Sequence, residues 1–245
     1  MFQYYRKIQE ILDTVFEKET PSINEAIHLL TKTNLEKKSV FIFGASHAGI
    51  LAEEMYYRAG GMMTINAIFG REVMLDRSPI TFTSQMERLE GYGTAIAATV
   101  PFQKDDVLIL HSVSGRNSII IDMALYAKEL GVKIIALTNV TYSKSTDSRH
   151  SSGKRLFELA DIVIDNHGTI GDATCEIRGI EQKVGASSTV IGATVLNTII
   201  VEVCQKLVDS GIKTPPIFYS ANLDGGDELN KQLIQEYQDA IHYNF

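Results

Sequence analysis

Four short runs in this chain are apolar almost from end to end, and they limit the folds open to it more than any other feature. They are Ser39-Val40-Phe41-Ile42-Phe43, Val107-Leu108-Ile109-Leu110, Lys133-Ile134-Ile135-Ala136-Leu137 and Ile162-Val163-Ile164. A strand with one wet face alternates polar and apolar residues. A strand that is apolar throughout is buried on both faces, as in a parallel sheet covered by helices. Residues 63–68 form a further strand candidate. Helical stretches separate the runs: about 47–59, stopped by Gly60-Gly61, and about 117–130, stopped by Gly131. A long apolar helix is expected over about 187–208. The alternation predicts an α/β fold built on a parallel sheet.

The ends differ from this middle. Tyr5, Ile8, Leu12 and Val15 recur at helical spacing and predict one apolar stripe. A second helix is expected after Thr20-Pro21, with Ser22 and Glu25 at capping-box spacing. These helices read as an N-terminal arm over residues 1–34, before a main domain over 35–211. Residues 212–245 form a tail, with Lys213-Thr214-Pro215-Pro216, a Gly225-Gly226 loop and a final amphipathic helix.

A chain of 245 residues, 44% hydrophobic, can bury one full α/β core. No apolar run approaches the roughly 20 residues of a membrane span, and the first residues lack a signal stretch. A soluble, cytoplasmic protein with no membrane partner is expected. Cys175 and Cys204 are expected as small buried hydrophobes in a reducing compartment. A net charge of -7 argues against nucleic acid as a partner. It does not argue against phosphate, which backbone N–H groups and hydroxyls can hold locally. His150 and His167 have no second ligand at a metal-binding spacing, and Gly153-Lys154-Arg155 lacks the glycine loop of a nucleotide site. No metal and no cofactor are expected.

In open α/β sheets ligands sit beyond the carboxyl ends of the strands. After the first strand stands Gly44-Ala45-Ser46-His47-Ala48-Gly49. A dinucleotide loop is one reading, but Ser46 replaces the middle glycine and no acid follows the second strand at Ile68-Phe69-Gly70. A hydrolase elbow is another, with His167 or His242 as the distant partner of Ser46. A sugar- or phosphate-contacting turn is the third, and a plain tight turn the fourth. After the third strand stands His111-Ser112-Val113-Ser114-Gly115-Arg116-Asn117-Ser118. Ser112, Ser114, Ser118 and Asn117 exceed what one helix cap needs, and Gly115 permits a sharp turn. With the helix N–H groups behind them they predict a neutral anion cradle. Thr138-Asn139 reads as ordinary turn chemistry.

The first loop and the stretch from Asp106 to Ser118, followed by Ala127 to Thr138, resemble the sugar isomerase (SIS) domain over about residues 35–210. The resemblance implies a single SIS domain with a five-stranded parallel sheet flanked by helices, an N-terminal helical arm and a C-terminal helical tail. It implies a phosphosugar ligand and a homodimer or higher oligomer with the site near the subunit interface. Carried over, Ser112 and Ser114 hold the phosphate, with Asn117 where threonine or serine is commoner. Ser46 supplies a first-loop hydroxyl beside Gly44 and His47. Ala48 stands where some relatives have serine, which removes a contact. The Ser-Gly-Arg loop and Leu89-Glu90-Gly91 are similar to N-acetylmuramic acid 6-phosphate etherases. Overall length and the tail Phe218-x-Ser220-x-Asn222-x-Asp224-Gly225-Gly226-Asp227 look more like small bacterial SIS proteins of phosphoheptose-isomerase-like type.

The resemblance implies a sugar-phosphate isomerase or a related lyase, or a phosphosugar-sensing regulator without turnover. Isomerisation or elimination needs a base and an acid. Etherases place an acid near Glu90, which makes Glu90 the first candidate base and Glu87 the second. His47 is the candidate acid. His111, Glu176, Glu181 and Ser187-Ser188-Thr189 lie near enough to consider and read equally well as structural.

Overall fold

The computed structural model describes residues 2–243. Two helices, α1 (Gln3–Lys18) and α2 (Thr20–Leu35), lead into β1 (Val40–Gly44). There follow α3 (Ile50–Met55), β2 (Ile65–Ala67), α4 (Thr81–Arg88), α5 (Tyr92–Ala97) and β3 (Val107–His111). Then come α6 (Ser118–Glu129), β4 (Lys133–Thr138), α7 (Val140–Lys144) and β5 (Ile162–Asp165). A small hairpin, β6 (Ala173–Cys175) with β7 (Val184–Ala186), precedes the long α8 (Ser188–Asp209), and α9 (Gly226–Glu236) lies in the tail.

The five main strands form one parallel sheet in the order β2-β1-β3-β4-β5. The apolar runs behave as their composition requires. Val40, Ile42, Val107, Ile109, Ile135, Leu137, Ile162 and Ile164 face one core, shared with α1, α2, α3 and α8. Phe41, Phe43, Leu108, Leu110, Ile134 and Ala136 face the other, shared with α5 and α6. Successive side chains point to opposite faces, so a strand covered on both sides has no position left for a polar residue.

The N-terminal helices pack into this core. On α2 the buried residues Ile23, Ala26, Ile27 and Leu30 fill the space against α8 and β5. On α1, Ile8 and Val15 are buried, whereas Tyr5 is exposed. The capping box expected at Ser22 and Glu25 is not made, because α2 begins at Thr20, with only Glu19 between it and the end of α1. Pro21 sits in its first turn, where no N–H is missed. The helix expected over 47–59 is shorter: a 3-10 turn at Ser46–Gly49, then α3, which ends where Tyr56 turns extended and Tyr57 takes φ +41°.

The tail finishes the β2 edge. Phe218 and Pro216 pair with the backbone of Gly60, Gly61 and Met63. Asn66 Nδ2 donates to Ala240 O at 2.9 Å, and Asn66 Oδ1 accepts from His242 N at 2.6 Å. An open parallel sheet needs such a cover on its edge. α8, 22 residues long, is apolar enough to cross a membrane by length and composition, unlike the sequence expectation of no such run. The inward stripe Ile191, Val195, Leu196, Ile199, Val203 and Leu207 accounts for that character, because it packs on the sheet.

α5 crosses α6 at Gly93, whose missing side chain lets the helices touch. A Cβ there would collide with the Ile119 carbonyl and the Asp122 Cβ. Both are fixed parts of α6. Gly93→Ala is expected to cost about 3 kcal/mol, the upper part of the usual overpacking range. A lowered urea midpoint at unchanged slope would show it.

Candidate functional site

In the order β2-β1-β3-β4-β5 the chain leaves β1 toward β2 and returns through β3, so direction reverses between β1 and β3. This is the switch point at which open sheets bind ligands. A cavity of about 300 Å³ opens there. Ala45, Ser46, His47 and Ala48 line it from β1, and Ser112, Val113, Ser114 and Asn117 from β3.

The donor groups converge on the start of α6. Asn117 is its N-cap, yet its side chain does not cap. Instead Asn117 Nδ2 donates to Glu87 Oε2 at 2.6 Å, and Asn117 Oδ1 accepts from Arg149 at 2.8 Å. The first-turn amides of Ser118, Ile119 and Ile120 therefore have no acceptor among the described residues. Ile119 and Ile120 line the cavity although their side chains are buried in the core. Unsatisfied N–H groups at the positive end of a helix attract an anion. Ser112 and Ser114 stand beside them. Among the described residues Ser112 Oγ accepts only the Gly115 amide, at 3.2 Å, so its proton is available.

Two other predicted loop residues shape this cradle from outside it. Gly115, at φ +59°, turns the loop, and a Cβ there would press on Ser143, Leu156 and Thr138 at 3.1–3.2 Å. Ser118 is fully buried and its hydroxyl donates to Arg149 O at 3.0 Å. Gly44 ends β1 on the far side of Ser46 and is not a lining residue.

Glu87 is one of two carboxylates at the cavity, the other being Asp172. Glu87 lies in the last turn of α4 and accepts from Ser46 Oγ as well as from Asn117. Ser46 reaches it from a left-handed backbone conformation at φ +52°. Two donors occupy two of about four acceptor directions of a carboxylate. Glu90, three residues on, does not line the cavity. The helix stops at Leu89, and Glu90 accepts the Ser151 hydroxyl and, at 2.9 Å, the Ser151 amide. Those bonds hold its carboxyl below the usual range.

His47 lines the cavity and is exposed, and its side chain makes no hydrogen bond among the described residues. His111 lines it too, and its ring is buried. Ala48 O, 3.0 Å from His111 Nδ1, can only accept, so Nδ1 carries the proton. Nε2 of the neutral ring is then a lone-pair acceptor, and it has no partner among the described residues. Burial pushes the His111 pKa down, against the pull of the Ala48 carbonyl and the Asp172 charge. A depressed folded pKa means the unfolded chain takes up a proton first, so stability is lost as pH falls below the unfolded value of about 6.5. Unfolding midpoints are expected to drop between pH 7.5 and 5.5, and His111→Asn, which keeps a donor for Ala48, to flatten that drop.

Tyr142, Gly171 and Asp172 complete the lining and were not marked by the sequence. Asp172 accepts from the amides of Ser187 and Ser188 at 3.1 and 2.8 Å and from both their hydroxyls. It thus ties the start of α8 to the site and occupies the hydroxyls of Ser187 and Ser188. Glu176 and Glu181 stand on the exposed hairpin loop, where Glu176 pairs with Lys183 at 3.6 Å. The elbow reading of Ser46 fails on geometry. His167 Nε2 bonds Glu19 at 2.8 Å and His242 Nε2 bonds Ser39 at 2.7 Å, and neither lines the cavity.

Residues 3–139 match the SIS domain family. The chain belongs to that family. It is 46% identical to a UPF0309 protein of Shouchella clausii over 98% of both chains. It is 49% identical to a UPF0309 protein of Oceanobacillus iheyensis, over 99% of this chain and 98% of the relative. A phosphoheptose isomerase structure from Francisella tularensis superposes with a TM-score of 0.56 at 16% identity, covering 82% of this chain and 95% of that one. At that identity the likeness is one of fold. The SIS match begins at residue 3 and so includes the N-terminal helices, in keeping with their place in the core.

Proposed function

We propose that this SIS-domain protein binds a phosphorylated sugar and interconverts its aldose and ketose forms, with Glu87 as the base. One observation carries the reading: an uncapped helix start flanked by Ser112 and Ser114 shares a cavity with the Glu87 carboxylate. The phosphate sits on the serines and the α6 amides, and the sugar runs toward Ser46, Glu87 and His47. Glu87 takes the proton from the carbon next to the carbonyl. The C–H electrons form the enediol double bond while His47 protonates the carbonyl oxygen. Return of the proton to the neighbouring carbon, and loss of one from the adjacent hydroxyl, gives the isomer. His111 Nε2 accepts from a sugar hydroxyl and fixes the ring or chain.

The same base suits a lyase, which begins with the same proton abstraction. A homodimer belongs to this reading and is supported by the outer face of α8, where Val190, Ala193, Thr194 and Val201 lie beside a single charge, Glu202. A second reading is a sensor that binds without turnover. It is favoured by Ser46 and Asn117 both bonding to Glu87, which suits a structural tie. Proton NMR in deuterium oxide separates the two. With a panel of sugar phosphates, an isomerase or lyase washes deuterium into the carbon next to the carbonyl. Binding by calorimetry with no exchange for any bound sugar would leave the sensor.

A further inference from the structure

Three arginines gather just outside the cavity, on the far side of Asn117. Asn117 Oδ1 accepts from Arg149. The Arg149 amide donates to Arg116 O at 2.9 Å, which lays the two residues side by side. Arg88 follows Glu87 at the end of α4. None of the three makes an ion pair with a carboxylate among the described residues, in a chain with a net charge of -7. Arg116 Nε is buried and lacks a partner. A dehydrated guanidinium donor without an acceptor is a costly arrangement unless something fills it. Desolvation, then the charges of Arg116 and Arg88, push the Arg149 pKa down, while Glu87 opposes them. The cluster is positive, and Glu87 offsets it only in part, with no direct ion pair among the described residues.

We propose that Arg88, Arg116 and Arg149 form a second anion subsite at the cavity mouth, so that the ligand is a sugar phosphate bearing a further carboxylate or phosphate. The proposal rests on the phosphosugar reading of the cavity. None of the three guanidinium groups lines the cavity itself. Asn117, which lines the cavity and bonds Arg149, links the cradle to the arginines. Arginine suits this task, since its fork matches the planar oxygens of either group. The rest of the acidic protein repels a second anion, so any preference for one must be local.

Calorimetry with two ligand pairs tests it: glucose 6-phosphate against 6-phosphogluconate, and fructose 6-phosphate against fructose 1,6-bisphosphate. The wild-type protein is expected to bind at least one doubly anionic member about ten-fold or more tighter than its partner, in line with one charge-assisted contact. Arg149→Gln and Arg88→Gln are each expected to remove most of that preference and to leave the singly charged ligand unchanged. Arg88 makes no hydrogen bond to Asn117 among the described residues, so its variant reports on the subsite even if Arg149→Gln disturbs the loop. Equal affinity within both pairs would overturn the subsite and leave the phosphosugar site standing. Equal loss for both members of a pair in Arg88→Gln would assign the arginines to the first phosphate and also overturn it. Failure of all four ligands to bind would overturn the phosphosugar reading and the subsite with it.

Discussion

Glu87→Gln is expected to lower the rate of deuterium exchange by about 10²–10⁴-fold, the usual contribution of a positioned base. Affinity for the same sugar phosphate should change little. Glutamine keeps the length of the side chain, and its oxygen can still accept from Ser46 or Asn117. Its amide cannot take a proton. Glu90→Gln is the control, because Glu90 is held by Ser151 outside the cavity. Exchange lost in Glu90→Gln and kept in Glu87→Gln would move the base to the other carboxylate. Exchange kept in both would remove proton abstraction from these residues.

The second large effect is on binding. Ser112→Ala with Ser114→Ala removes two hydroxyl donors from the anion cradle. Each hydrogen bond to a charged group is worth about 1.5–3 kcal/mol. The pair should weaken phosphosugar binding by roughly 10²–10⁴-fold, read by calorimetry, if the losses add. The α6 amides remain and leave a residual affinity. Folding should be little affected, since Ser112 Oγ serves only the Gly115 amide and Ser114 makes no hydrogen bond among the described residues. Unchanged affinity would place the phosphate elsewhere.

Much of this architecture was legible because a strand buried on both faces has no freedom in composition. Val107 to Leu110 and Ile134 to Leu137 could not be mistaken for half-wet strands. The Ser112–Ser118 loop stood out because it follows such a strand and precedes a helix. What was hidden depended on where the chain turned. Glu87 and Glu90 are three residues apart and would share a helix face if α4 continued. It ends at Leu89, and Gly91 at φ +90° redirects the chain, so only Glu87 reaches Ser46 and Asn117. α4 and α5 were unread as helices because they are short and carry little apolar pattern. Asp172 and Tyr142 come from segments distant in sequence, and no local spacing announces them. His111 was visible as a strand-end histidine, but its free Nε2 follows from the Ala48 carbonyl, a contact across the sheet end.

The measurement that bears most directly on the central claim is a crystal structure with a bound sugar phosphate that the protein retains in calorimetry. The account predicts the phosphate oxygens at hydrogen-bond distance, about 3 Å, from Ser112 Oγ, Ser114 Oγ and the α6 first-turn amides, with the sugar directed to Glu87. A phosphate seated elsewhere, for instance in the separate cleft between Arg58 and Lys231, would contradict it.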